Sequence, residues 1–185
     1  MNIVLIGYKS CGKTSTGQAL ARRLRLAFVD LDRVFEDLFY RRFKVQCHYR
    51  EPFEIYGEAL FREVESAALA ELIGRDGIVL ATGGGAPMTP ANRPVLKRLG
   101  TVVYLRVRPE VLYERFQRSA PPAFLQDDPS LARLTAHWQA RDDVYAALAD
   151  VTVDSSDSTP PRTAAAIARQ LGKKTSKGSS ADCQD

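Results

Sequence analysis

Gly7-Tyr8-Lys9-Ser10-Cys11-Gly12-Lys13-Thr14 decides how this chain folds, because it fits the pattern G-x-x-x-x-G-K-[ST] at every position. The apolar run Ile3-Val4-Leu5-Ile6 precedes it and residues 13–24 read as a helix after it, the strand–loop–helix setting that the pattern requires. Glycines let backbone N–H groups come close to phosphate oxygens. A helix starting at Gly12 or Lys13 turns its positive end toward them. Lys13 is expected to reach the β- and γ-phosphates of ATP, and the Thr14 hydroxyl to take Mg²⁺. Gly7, Ser10, Cys11, Gly12, Lys13, Thr14 and Ser15 are therefore the candidate nucleotide-binding residues. The loop fixes a nucleotide and nothing more.

Outward from the loop, short apolar runs alternate with longer amphipathic ones, the pattern of βαβ units. Strands are predicted at 2–6, 27–30, 78–81, 102–106 and 150–153. Helices are predicted at 13–24, 33–43, 58–73, 90–99, 109–118, 130–147 and 160–171. Several strands are apolar on both faces, as a sheet covered on each side requires. The expected fold class is α/β, three layers (α/β/α) around a five-stranded parallel sheet. Residues 1–171 are read as one domain. The proline-rich stretch from Ser119 to Pro129 has no periodicity and reads as a loop, the core of a candidate lid at about 117–130. The polar, Lys/Ser-rich stretch 172–185 is expected to be a disordered tail.

Composition narrows the setting. No apolar run reaches the roughly 18 residues of a membrane span. The nucleotide motif begins so close to Met1 that a cleaved leader would remove it, so a cytoplasmic protein is expected. Cys11, Cys47 and Cys183 are too scattered for a disulfide framework or a zinc site and read as free thiols. The net charge of +4 is too mild to favour a nucleic-acid partner and suits anionic small molecules. A monomer is expected.

The second strand ends at Asp30-Leu31-Asp32. Residues at the carboxyl ends of parallel strands face the ligand crevice. One carboxylate, Asp30, is a candidate for the Mg²⁺ shell. The other, Asp32, is placed to orient or deprotonate an acceptor hydroxyl. Acids here also serve as helix caps, and that alternative stays open. The third strand runs into Thr82-Gly83-Gly84-Gly85, where bare backbone can press against a ligand or simply turn.

Together with Gly57-Glu58-Ala59-Leu60-Phe61-Arg62 and Arg141-Asp142-Asp143-Val144-Tyr145, these motifs resemble the shikimate kinase family, in the family's order, from residue 2 to about 171. The resemblance implies a nucleoside-monophosphate-kinase-like P-loop fold with a mobile lid. The activity it implies is transfer of the γ-phosphate of ATP, with Mg²⁺, to the 3-hydroxyl of shikimate, in chorismate and aromatic amino-acid synthesis. By resemblance Asp32, Arg62, Gly84 and Arg141 bind shikimate, within an acceptor region of about 32–62, and Arg115 lies against the adenine. The physical case agrees, since two guanidinium groups suit a carboxylate. For Arg62 the competing reading is a surface charge paired with Glu58 or Glu65.

Two departures stand out. The family's lid carries an arginine before a proline, whereas this chain reads Ser119-Ala120-Pro121-Pro122-Ala123-Phe124-Leu125, leaving Arg118 as the candidate replacement. The stretch between Asp32 and Gly57, with Tyr40 to Arg50 inside it, is several residues longer than the family's usual length. A kinase for a gluconate-like acceptor and a nucleotide-binding regulatory module with weakened catalysis are the alternatives.

Overall fold

The computed structural model describes residues 1–49, 51–118 and 123–178, with the side chains of 123 and 174–178 left aside. Five parallel strands, β1 (Ile3–Ile6), β2 (Ala27–Asp30), β3 (Ile78–Ala81), β4 (Thr101–Arg106) and β5 (Val151–Asp154), lie in the order β2-β3-β1-β4-β5. Ile3 is in register with Val79 on one side and Thr101 on the other. Every residue of β1 and β3 is buried, which is why both read as unbroken apolar runs.

Seven helices cover the sheet: α1 (Lys13–Leu24), α2 (Leu31–Phe43), α3 (Glu51–Ala70), α4 (Asn92–Leu99), α5 (Pro109–Gln117), α6 (Leu131–Leu148) and α7 (Pro160–Gly178). α1 packs very close to β2: a Cβ on Gly17 would lie 2.6 Å from the Phe28 ring. α2 starts two residues earlier than predicted because the Asp30 carboxylate accepts the Asp32 N–H at 3.2 Å and caps it. α3 starts seven residues earlier, but Gly57 breaks it with φ 84° and ψ 170°, a conformation that side-chain-bearing residues avoid. α7 runs on to Gly178, past the predicted end at 171, so part of the polar stretch expected to be a disordered tail is helical; 179–185 lie outside the described residues.

The topology places the site. From neighbouring β1 and β3 the chain leaves in opposite directions, β1 through α1 to β2 and β3 through α4 to β4. Ligands bind at the carboxyl ends of strands at such a switch point. The loops after β1, β2 and β3 carry Gly7–Thr14, Asp30–Asp32 and Thr82–Gly85 to that edge.

Candidate active site

The phosphate loop turns through left-handed backbone at Gly7 (φ 145°), Ser10 (φ 63°) and Gly12 (φ 95°). Gly7 has no room for a side chain, since a Cβ would stand 2.6 Å from the Leu105 carbonyl oxygen. Buried Lys13 folds back over the loop, its ammonium donating to the Gly7 and Tyr8 carbonyls at 2.9 and 2.8 Å. Arg115, expected at the adenine, donates to the Ser10 carbonyl at 2.8 Å and so ties α5 to the loop. Cys11 is buried beneath the loop and faces the core.

Thr14 and Asp30 meet across the crevice, the hydroxyl donating to Oδ2 at 3.2 Å. A hydroxyl and one carboxylate are hard oxygen donors, the sparse protein set that suits Mg²⁺ when phosphate oxygens and waters complete its shell. No cluster of three His, Cys, Asp or Glu side chains able to hold a metal occurs among the described residues. The cap and metal readings of Asp30 are compatible, because Oδ1 serves the helix and Oδ2 faces Thr14.

Asp32 differs from its neighbour. Its Oδ1 is buried without a hydrogen-bond partner among the described residues. Burial first, then the Asp30 charge, pushes its carboxyl up to about 7, against the opposing pull of Lys13. A cavity-lining carboxyl whose pKa is raised toward neutrality is suited to exchange a proton.

The cavity, of about 600 Å³, runs from Lys13 and Thr14 past Asp32 to Arg62, Gly84 and Arg141. Arg62 enters from α3, with Nη1 on the Glu65 carboxylate at 2.8 Å and Nε near Glu58 at 3.4 Å. Both competing partners are therefore present, yet the guanidinium still borders the cavity. Its room comes from Gly85, where a Cβ would meet Nη1 at 2.5 Å. A Cβ on Gly83 would stand 2.5 Å from the Tyr49 hydroxyl and one on Gly84 3.2 Å from the Lys9 nitrogen, so the triple glycine is a packed floor and not a loose turn. Arg141 enters from α6, 5.9 Å above the Tyr8 ring.

Beside Arg141 stands a polar network whose contacts the quoted motif Arg141–Tyr145 does not reveal. Buried Asp142 accepts from Arg106 through both oxygens, at 3.0 and 2.8 Å, and from the Tyr104 hydroxyl at 2.6 Å. Tyr145 donates to the Gly84 carbonyl at 2.6 Å. His137 bonds the Tyr8 hydroxyl and stacks on Phe124, ring centroids 3.9 Å apart. Burial and then Arg141 pull its pKa down to about 4, so His137 is neutral at physiological pH. Asp142, Tyr145 and His137 all lie on α6, and their hydrogen-bond partners come from β4 and the loops after β1 and β3, a meeting that single-sequence spacing does not carry. Arg118 sits exposed at the C-cap of α5, outside the cavity lining, and 119–122 of the expected lid lie outside the described residues.

The comparisons with known proteins agree with this geometry. The Shikimate kinase family model matches residues 9–173. A shikimate kinase of Thiobacillus denitrificans is 44% identical over 157 residues, covering 84% of this chain and 81% of its own. One from Cupriavidus pinatubonensis is 39% identical over 172 residues, covering 92% and 85%. The structure of shikimate kinase from Acinetobacter baumannii in complex with shikimate superposes with a TM-score of 0.82 at 32% identity, covering 94% of this chain and 93% of that one. A YorR protein of Bacillus subtilis shares the fold at a TM-score of 0.63 but only 12% identity. Phosphate loop, cavity-lining carboxylate, arginine pair and family match all agree: the chain belongs to the shikimate kinase family.

Proposed function

We propose that this kinase moves the γ-phosphate of ATP to the 3-hydroxyl of shikimate by positioning and charge, with one cavity holding both reactants. The observation that carries the reading is the continuity of that cavity from Lys13 to Arg62 and Arg141, with Asp32 lining it between them.

Lys13 exchanges its two loop carbonyls for the β- and γ-phosphates. Thr14 and Asp30 would hold Mg²⁺, which would supply charge neutralisation to the phosphate oxygens. Gly7, Ser10, Cys11, Gly12 and Ser15 shape the phosphate cradle, and Arg115 braces it on the adenine side. Asp32 orients the acceptor hydroxyl and takes its proton as the new O–P bond forms. Arg62 and Arg141 grip the carboxylate from α3 and α6, and the Gly84 N–H takes a further acceptor oxygen. Arg118 supplies the lid's positive charge once the segment beyond α5 closes. The acceptor region is about 32–62, and the catalytic domain ends at about 171.

The chain is read as a cytoplasmic monomer whose partners are ATP and shikimate, without nucleic acid or membrane. No helix of the described residues is long and apolar enough to cross a membrane. ADP release in a coupled assay, with shikimate, quinate and gluconate offered separately, tests the reading. Turnover with shikimate well above the others is expected. Preference for gluconate, or no acceptor-dependent release, overturns it.

A further inference from the structure

The longer connection between α2 and α3 delivers a tyrosine to the acceptor site. Tyr49 borders the cavity. Its ring is held edge-on by Phe35 and Phe61, both with centroids at 5.0 Å, and its N–H donates to Glu36 at 3.0 Å. The hydroxyl donates to Glu65 Oε1 at 2.5 Å, while the other oxygen of that carboxylate takes Arg62 Nη1 at 2.8 Å. Glu65 is completely buried. Gly83 leaves just enough space, because a Cβ there would stand 2.5 Å from the Tyr49 hydroxyl and 3.1 Å from Glu65.

A fully buried carboxylate needs a donor on each oxygen. Two groups are within reach, the phenol and the guanidinium. With Tyr49 on Oε1, Glu65 requires only one nitrogen of Arg62, and Nη2 makes no hydrogen bond among the described residues. Remove the phenol and Oε1 is orphaned. Arg62 is then the neighbouring donor able to serve both oxygens, in the fork geometry that arginine and carboxylate favour. That turn takes the guanidinium off the cavity. The phenol is a dependable donor, since burial and the Glu65 charge hold its pKa well above the usual range.

We propose that Tyr49 is a positioning residue for acceptor binding: it satisfies half of Glu65 so that Arg62 keeps a free edge for the acceptor carboxylate. The inference rests on the reading that Arg62 grips that carboxylate.

Tyr49→Phe keeps the ring and removes only the hydroxyl. The expected result is a rise in the KM for shikimate of about five- to twentyfold, the scale of one lost charge-assisted contact. The KM for ATP and kcat stay within about threefold, as expected when only acceptor binding is touched. Adding Glu65→Gln to Tyr49→Phe removes the competing charge and restores much of the shikimate KM. Gly83→Ala, which crowds the hydroxyl from the other side, gives the same split and serves if Tyr49→Phe fails to fold. Unchanged shikimate KM, equal rises in both KM values, or no restoration by Glu65→Gln overturns the proposal. Arg62→Ala measured alongside separates the two ideas. If it leaves the shikimate KM unchanged, the carboxylate grip itself fails; if it raises that KM while Tyr49→Phe does not, only the role of Tyr49 falls.

Discussion

Thr14 Oγ1 and Asp30 Oδ2 stand 3.2 Å apart, so the helix after β1 and the end of β2 share a polar contact where the metal is proposed to sit. Asp30→Asn keeps a capping oxygen for α2 and removes the charge. The free Mg²⁺ giving half-maximal velocity is expected to rise by about tenfold or more, the scale of one charge-assisted contact. Melting temperature stays close to the parent's. Velocity against free Mg²⁺ at fixed ATP checks it, and an unchanged curve rules Asp30 out of the metal shell.

The raised pKa of Asp32 is expected to make activity and stability depend on pH. Its folded pKa of about 7 lies above the ordinary 3.8, so the native state holds a proton that the unfolded chain has released between those values. Stability therefore falls as pH rises through that window, while the base form accumulates. With both substrates well below saturation, the rate is expected to climb with pH with an apparent pKa of about 7. In Asp32→Asn that limb disappears along with most of the activity, and melting becomes less dependent on pH.

Two glycines should fail in opposite ways. In Gly85→Ala the new methyl meets the mobile end of Arg62 at 2.5 Å, so the protein folds but the shikimate KM rises. In Gly17→Ala it meets the packed Phe28 ring at 2.6 Å, and overpacking of this kind costs about 1–3 kcal/mol. Urea denaturation set beside steady-state kinetics separates them. A Gly85→Ala protein as destabilised as Gly17→Ala would contradict the assignment.

Asp142→Ala is expected to lose about 2–4 kcal/mol, because the Tyr104 hydroxyl is left buried without its acceptor and Arg106 without its partner. Asp142 is the buried partner, so Arg106→Ala, which leaves that charge with only the Tyr104 hydroxyl, should also cost about 2–4 kcal/mol. Both raise the shikimate KM through Arg141 next door. Chemical denaturation midpoints give the comparison.

Arg118→Ala tests the lid. At saturating shikimate kcat is expected to fall by about a hundredfold or more, the range of an arginine acting on a transferring phosphoryl group. Stability is untouched, since the side chain is exposed. Undiminished kcat removes Arg118 from catalysis.

The sheet was almost wholly legible, because strands buried on both faces announce themselves as apolar runs and the loop motif fixes the turn and helix after β1. Gly57 read correctly as the break before the helical run from 58, whereas the short helical stretch from Glu51 up to it was not legible. At the site, Asp30, Asp32 and Arg62 carried readable chemistry on short motifs. Tyr49, Glu65, Asp142 and His137 did not. Part of their importance comes from partners remote along the chain, such as Tyr49 for Glu65 and Tyr8 for His137. Distance along the chain hides what distance in space decides.

The lysine resting on the loop's own carbonyls has a consequence for turnover. When product nucleotide leaves, its cation does not have to be stranded in a buried pocket, because Gly7 and Tyr8 stand ready at 2.9 and 2.8 Å to receive it. The same internal bonds oppose binding, since phosphate must displace them before it can be held. The loop thus trades tightness of grip for ease of release, and nucleotide departure need not be the slow step of the cycle.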